Sequence, residues 1–318
     1  MTKPGVILIT TLLILMVMSV ISMQVSKKFY VSLQREAYLD FKNQSYHMLI
    51  NSEKQVIRNL QKEAKVRQSK LTLSDSILKN KFYYQNDLMQ IEIDISDASN
   101  CFNLNSLFNK SSNTFEVRPA YRDWLIRYLE LKSLSTVNIQ SFIDQLVDWI
   151  DQDNQPLNFG AENYFYIGPA SQTQQFTPKR LLVDLSEIQN FPIMQTLDFN
   201  EITSGLCVIP GSTKQLLNIN TLISEDVLLV ASFFNETNLE FTESQIFNLP
   251  KNGYDDVSVF ARYFSQSANY PPQVLSINSQ TFSLEGIIIN ENFSASIKSL
   301  VILDASNTVK IASRTFNF

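Results

Sequence analysis

The chain has 318 residues, of which 44% are hydrophobic and 18% are charged, and this composition indicates a globular protein. Its 26 lysines and arginines against 31 aspartates and glutamates give a net charge of -5, so no overall basic field favours nucleic acid binding. The single histidine, His47, excludes zinc sites built from several histidines, and the seven glycines lack the spacing of a phosphate-binding loop.

The first predicted element is a membrane-spanning helix. Residues 6–23 carry no charge, and at about 1.5 Å per residue they span about 27 Å as a helix. A secretory signal peptide would end at a small-residue cleavage site, whereas this run passes directly into Lys27 and Lys28. The run therefore predicts a membrane anchor.

The helix is predicted to continue beyond the membrane. Apolar residues recur at helical spacing from Val25 through Phe41 to Leu60, and residues 6–64 contain neither proline nor glycine. The second half is expected to pack its apolar stripe against a globular head, with His47 as a packing or surface residue.

Two patterns divide the rest of the chain. Strand-like alternation begins at Leu88 and returns near the C-terminus, in segments 273–278, 281–290, 293–304 and 308–318, with a turn at 304–307. Between these strand segments, apolar residues recur every three or four residues, which predicts helices in segments 121–131, 139–150, 186–191, 221–234 and 255–264. The sequence thus predicts an α+β fold in which a mainly helical insertion interrupts a small antiparallel sheet.

A short basic leader precedes the apolar run. Lys3, Pro4 and Gly5 resemble the end of a type III signal sequence, which prepilin peptidase cuts after glycine on the cytoplasmic side. The resemblance implies cleavage between Gly5 and Val6 and methylation of the new amino group of Val6.

Six short segments, together with the order of the elements, resemble the minor pseudopilin K family of type II secretion systems. The segments are CFNLN (101–105), LVDWID (146–151), GAE (160–162), LVDLSE (182–187), IPG (209–211) and LNINT (217–221). The resemblance implies a pilin-like fold, in which a long N-terminal helix packs on an antiparallel sheet and a large helical domain is inserted. The implied parts are a leader (1–5), a transmembrane part (6–23), the remaining helix with the first strands (24–107), the inserted domain (108–270) and the C-terminal strands (271–318).

The fifth residue of the mature chain sets the implied role. Pilins and the major pseudopilin have glutamate there, which neutralises a neighbouring subunit's amino terminus in the apolar fibre core. Counting from Val6, this chain has Thr10, and the K proteins share the absence of the acid. The resemblance therefore implies a tip subunit that initiates or caps the pseudopilus for protein export across the outer membrane. Without the resemblance, Thr10 is also consistent with a monomeric membrane anchor in which a polar residue is merely tolerated at this position.

Partners and location follow from the same resemblance. The expected partners are the minor pseudopilins I and J, then H, the major pseudopilin and prepilin peptidase, with secreted proteins as further candidates and no nucleic acid. The globular part is expected in the periplasm, on a single-pass anchor in the bacterial inner membrane. The alternatives are a type IV pilus initiation subunit and a membrane-anchored, calcium-dependent hydrolase, and no enzymatic activity is expected.

An acidic loop is the candidate metal site. Asp151, Asp153 and Glu162 occupy positions one, three and twelve of a loop with EF-hand spacing, but Gln155 and Pro156 depart from that motif. Spacing alone leaves a metal loop and a solvated acidic face equally open. The K pseudopilins bind calcium in the inserted domain. The resemblance thus implies a structural calcium held by Asp151, Asp153 and Glu162, with Asp148 as a weaker candidate.

Cys101 and Cys207 are the only two cysteines. The anchor places both in the oxidising periplasm, which favours a disulfide between them. Two separate buried thiols are the alternative.

Overall fold

The computed structural model describes residues 4–66, 70–85, 89–111, 114–169, 174–264, 273–290, 292–304, 306 and 308–318. Outside them lie leader residues 1–3, the predicted strand start at Leu88, the predicted insertion end at Tyr270, and Ala305 and Asn307 of the predicted turn. The helices are α1 (Pro4–Val66), α2 (Ser76–Lys79), α3 (Pro119–Leu131), α4 (Thr136–Ile150), α5 (Asn163–Tyr166), α6 (Phe199–Thr203), α7 (Val227–Phe234), α8 (Leu239–Phe247) and α9 (Val257–Ala261). The strands are β1 (Phe82–Gln85), β2 (Gln90–Asp97), β3 (Phe102–Asn103), β4 (Phe108–Ser111), β5 (Thr114–Val117), β6 (Leu206–Cys207), β7 (Leu217–Asn218), β8 (Leu275–Ser276), β9 (Thr281–Ile289), β10 (Ser294–Leu303) and β11 (Val309–Asn317).

Helix α1 is continuous over 63 residues, about 95 Å, which confirms the single helix predicted over 6–64. Side chains at 5–37 are exposed, and this part is long and apolar enough to cross a membrane. The predicted packing stripe is buried only from Phe41 onward. Val25, Phe29 and Leu33 remain 47–64% exposed, because the sheet reaches only the second half of the helix.

A small core lies between α1 and a five-stranded antiparallel sheet with strand order β1-β2-β9-β10-β11. Apolar residues alternate with polar ones along β2 and β9, so each strand turns one face toward α1. The small core includes Phe41, Leu49, Val56, Leu60, Ile91, Ile93, Ile95, Leu284, Ile288, Ile297 and Val301. Strands β1 and β2 precede the intervening segment and β9 to β11 follow it, which confirms the predicted interrupted sheet.

The first predicted C-terminal strand is much shorter than the segment 273–278. Only Leu275–Ser276 is a strand, and β8 pairs in parallel with β7 outside the five-stranded sheet. Backbone bonds from Leu217 N to Val274 O (2.8 Å) and from Ile219 N to Ser276 O (2.9 Å) hold it there. The alternating pattern in this segment was thus correct about extended backbone and wrong about its partner.

A second and larger core occupies the segment between the two sheet halves. Helices α3, α4 and α7 contribute to it, and Trp124 contacts the rings of Phe102 and Phe233 at centroid distances of 4.8 and 5.0 Å. The indole Nε1 donates to Ser232 Oγ at 3.0 Å, so this buried polar group has a partner. Phe102 and Leu104 already belong to this core, ahead of residue 108, where the inserted domain was predicted to start.

Buried asparagines explain two of the recognised sequence segments. In CFNLN, the Asn103 amide donates to Ser212 O and Lys214 O, and the Asn105 amide donates to Leu182 O and Ile209 O, at 2.9–3.1 Å. In LNINT, the Asn218 amide donates to Leu71 O and the Asn220 amide to Tyr254 O. Each asparagine amide donates to main-chain carbonyls of a distant segment and so supplies the hydrogen bonds that water would otherwise make. These segments therefore have a structural role.

An ion pair joins buried Glu53 of α1 to the partly exposed Arg314 of the sheet, and sequence periodicity gave no sign of it. Glu53 of α1 is 1% exposed, and its carboxylate accepts two bonds from the Arg314 guanidinium on β11, one from Nε at 3.0 Å. The Ser299 hydroxyl on β10 donates to the same carboxylate. The pair therefore adds a polar contact between α1 and β11 to the apolar packing of the small core.

Candidate functional site

An acidic cluster forms where α4 ends. Asp148 lies on the last turn of α4, Asp151 is the first residue after it, and Glu162 immediately precedes α5. The Glu162 carboxylate accepts from Asn163 N at 3.3 Å and so caps α5. The loop between the two helices therefore returns Glu162 to the end of α4.

The cluster comprises Asp148, Asp151 and Glu162, whose ligand oxygens all lie within 4.8 Å of one another. Asp148 and Glu162 are 0% and 1% exposed. Both Asp148 oxygens are 3.2 Å from Leu157 N, which draws the loop onto the helix. A Cβ at Gly160 would stand 1.9 Å from Asp148 Oδ2, so glycine is required for this close approach.

Burial and mutual repulsion oppose ionisation of the cluster. Burial raises the pKa of Asp148 to about 7, and Asp151 and Glu162 add repulsion while the Leu157 N–H opposes the shift. Burial likewise raises the pKa of Asp151 to about 6, with repulsion from Asp153 and Glu162 and partial relief from Lys179. A positive charge at this position would therefore stabilise the ionised cluster.

Lys179 supplies a positive charge from a distant part of the chain. Its Nζ donates to both Glu162 oxygens, at 3.0 and 2.9 Å, and to the carbonyl of Asp153. It lies 4.0 Å from Asp151 Oδ1. Sequence analysis missed this residue because Lys179 follows Glu162 by 17 residues, and no spacing rule links a lysine to a loop so far away.

The structure does not bring the Asp153 carboxylate into the cluster. Its Oδ1 accepts from Gln155 N at 2.8 Å in a local turn, and the side chain is exposed. The Asp153 main-chain carbonyl instead faces the Lys179 ammonium group. Pro156 in place of the EF-hand glycine accompanies this different loop path.

The arrangement fits a hard cation. Asp148, Asp151 and Glu162 offer carboxylate oxygens and Asp153 offers a carbonyl, the ligand types that calcium prefers. Asp151 Oδ1 is a buried oxygen with no hydrogen-bond partner among the described residues. That oxygen is free to accept a ligand bond.

A disulfide connects the start of the large core to β6. Cys101 and Cys207 are bonded, with their Cα atoms 5.8 Å apart and 106 residues between them in sequence. Parallel strands β3 and β6 align the two segments, with Asn103 opposite Cys207. The structure thus contains the bridge rather than two separate thiols.

The N-terminal positions lie on the exposed part of α1. Gly5 and Val6 are exposed, and no atom of the described residues would lie within 4 Å of a Cβ at Gly5. The Thr10 hydroxyl donates to Ile7 O at 2.9 Å within its own helix. Thr10 therefore presents neither a charge nor an unbonded donor to a neighbouring molecule.

Comparisons with known proteins agree with one another. The family model described as type II secretion system (T2SS), protein K, matches residues 100–211. Type II secretion system protein K of Aeromonas hydrophila is 25% identical over 263 residues, covering 79% of this chain and 77% of that protein. The Klebsiella pneumoniae protein of the same description is 29% identical over 145 residues, covering 46% of this chain and 44% of that protein.

A solved structure is similar over most of the chain. A chain of the GspK-GspI-GspJ complex from the type 2 secretion system of enterotoxigenic Escherichia coli superimposes with a TM-score of 0.70 and 19% identity. The match covers 87% of this chain and 98% of that one. At this identity, the likeness shows a shared fold.

Proposed function

We propose that this chain, which belongs to the type II secretion system protein K family and acts as a minor pseudopilin, forms the tip of the periplasmic pseudopilus. There it would initiate or cap assembly for protein export across the outer membrane. The observation that carries the tip position is Thr10. Its uncharged hydroxyl is bonded within α1 and cannot neutralise the amino terminus of a neighbouring subunit in an apolar fibre core.

The size of the head supports the same position. The large core is separate from the small core and adds a bulky body to the pilin-like part. A shaft subunit has to leave room for the next subunit above it, whereas a tip subunit has none above it. The insertion is therefore compatible with the end of a fibre.

The N-terminal helix supports a location in the inner membrane. Residues 5–37 are exposed along α1, and the apolar part of this stretch can span the bilayer. We assign leader cleavage to the bond between Gly5 and Val6, by prepilin peptidase, and methylation to the new amino group of Val6. The head would then lie in the periplasm, where the Cys101–Cys207 disulfide is stable.

The proposed partners are other pseudopilins. The similar Escherichia coli chain was solved with GspI and GspJ. By analogy, the minor pseudopilins I and J would bind this chain first, with H and the major pseudopilin following in the fibre. Assembly without catalysis is the proposed activity, because two of the three cluster carboxylates, Asp148 and Glu162, are buried away from any substrate.

Labelling of fibre ends tests the tip position. An epitope tag placed after Phe318 on the full chain is expected to appear at one end of each pseudopilus in immunogold electron microscopy, since Thr10 cannot pair within a shaft. The same tag on the major pseudopilin serves as the control and should decorate the whole shaft. Label from this chain at intervals along the shaft would contradict the proposal.

The acidic cluster is proposed to bind a structural calcium ion. Asp148, Asp151 and Glu162 would hold it through carboxylates, and Asp153 through its main-chain carbonyl. Burial and mutual repulsion make the ionised form of these carboxylates unfavourable. The positive charge of the ion would stabilise that ionised form. The loop between α4 and α5 would be ordered as a result.

Calcium is accordingly expected to raise the melting temperature. At a concentration 100 times Kd, binding to the folded state adds about 2.7 kcal/mol, which corresponds to a rise of several degrees. The variant with Asp151→Ala and Glu162→Ala should lose this calcium-dependent rise in differential scanning calorimetry. Asp153→Ala is the matched control and should retain it, because only the Asp153 carbonyl faces the cluster. An identical wild-type melting curve in calcium and in chelator would remove the metal assignment.

A further inference from the structure

The Lys179 ammonium group lies among the oxygens proposed to ligate calcium. It donates to both oxygens of Glu162 and to Asp153 O, and it is 4.0 Å from Asp151 Oδ1. The Lys179 side chain is 19% exposed, so water screens these contacts only in part. An ammonium group and a divalent cation repel each other and require the same oxygens, so they cannot occupy the cluster together.

The backbone of Lys179 indicates that this placement is imposed. Its φ is 51°, in the left-handed region that residues with a Cβ rarely adopt. Gln152, in the loop after α4, donates from Nε2 to Lys179 O at 2.8 Å and ties this residue to the cluster. Backbone strain of this kind persists where the surrounding structure determines it, and it is concentrated at functional sites.

We infer that Lys179 is an internal counter-cation that competes with calcium for the acidic cluster, so that calcium binds only when the ammonium group leaves. The inference rests on the calcium site proposed above and adds its regulation. At low calcium, Lys179 neutralises part of the charge of Glu162 and holds the loop. As calcium rises, two positive charges replace one, and the lysine side chain turns out to solvent.

Competition raises the apparent Kd for calcium, which equals the intrinsic Kd divided by the fraction of time in which the ammonium group is out of the cluster. If the ammonium group occupies the cluster nine-tenths of the time, the apparent Kd is raised about tenfold. The lysine would thereby set the calcium concentration at which the loop switches between its two cations.

Substitution of Lys179 tests this competition in the full, detergent-solubilised chain. Lys179→Met keeps most of the aliphatic stem and removes the charge, and it is expected to tighten calcium binding about tenfold in isothermal titration calorimetry. In chelator, the same variant should melt at a lower temperature than wild type, because Glu162 loses its cation. Lys298→Met is the matched control: Lys298 pairs with Glu285 at the surface, with side chains 70% and 55% exposed, and both readouts should match wild type.

A second variant keeps the test decisive if Lys179→Met does not fold without calcium. Lys179→Gly removes the charge and relieves the left-handed backbone, and it should also bind calcium more tightly than wild type. Equal calcium affinities in wild type and both variants would overturn the competition and leave the calcium site in place. Calcium binding by the variants alone would support competition and overturn the site in wild type. Absence of binding in all three proteins would overturn both proposals.

Discussion

Replacing Cys101 and Cys207 with serine is expected to lower the free energy of unfolding by about 4 to 5 kcal/mol. The disulfide joins residues 106 apart, and in the chain-entropy model a closed loop of this length restricts the unfolded state by about that amount. The loop contains α3, α4 and the acidic cluster, so the effect should appear in the large core.

Tryptophan fluorescence during urea unfolding measures this effect directly. Both tryptophans of the chain, Trp124 and Trp149, are buried in the large core, at 0% and 3% exposure. Wild-type protein treated with a reductant is the control and should unfold at the same urea concentration as the double serine variant. A double variant with the midpoint of oxidised wild type would show that the bridge contributes nothing to stability.

Arg314→Ala is expected to destabilise the small core by about 1 to 3 kcal/mol. The substitution leaves Glu53, 1% exposed, without its cation and with the Ser299 hydroxyl as its remaining donor in the structure. The Arg314 side chain is 28% exposed, so water entering its place would compensate the buried Glu53 carboxylate only in part, and the loss should exceed that for a surface pair. Hydrogen exchange of β10 and β11 amides is the appropriate measurement, because both tryptophans lie in the other core.

Two further variants separate the ion pair from general packing. Lys298→Ala on the neighbouring strand β10 removes an exposed pair with Glu285 and should change stability by about 0 to 1 kcal/mol. Combining Glu53→Leu with Arg314→Met replaces both charges with apolar groups, and this double variant should recover much of the loss. Similar protection from exchange in Arg314→Ala and Lys298→Ala would show that Glu53 does not need its partner.

The two expected effects fall on different parts of the molecule. The disulfide acts on the large core, whereas the Glu53–Arg314 pair holds α1 against the sheet. Loss of the disulfide would instead weaken the domain that carries the acidic cluster.

Regular elements were predictable where neighbouring residues alone determine them. The absence of proline and glycine over 6–64 predicted the continuous helix α1. Alternation of apolar and polar residues predicted β9, β10 and β11, with ends that differ from the observed ones by a few residues at most. Helices α3 and α4 followed from apolar spacing in the same way. These patterns are local, so their physical cause is contained in the segment that shows them.

Other features depend on residues far apart in sequence. The same alternation at 273–278 was extended as predicted, yet its hydrogen-bond partner was β7 rather than the sheet. The acidic spacing found Asp151 and Glu162 but also suggested the Asp153 carboxylate, which a turn with Gln155 directs elsewhere. The prediction that the second half of α1 packs on the head is confirmed, but the residue at which packing begins, Phe41, depends on the reach of the sheet.

By itself, the sequence determined the apolar N-terminal run, the long helix, the C-terminal strands and the uncharged Thr10, because each depends on composition or on contacts within one segment. Only the tertiary structure decided that Lys179 enters the acidic cluster and that Arg314 meets Glu53, 261 residues away. Such contacts between a buried carboxylate and a partly exposed cation arise when segments far apart in sequence pack together. Their energy depends on burial and on distances in space, which spacing along the chain does not encode.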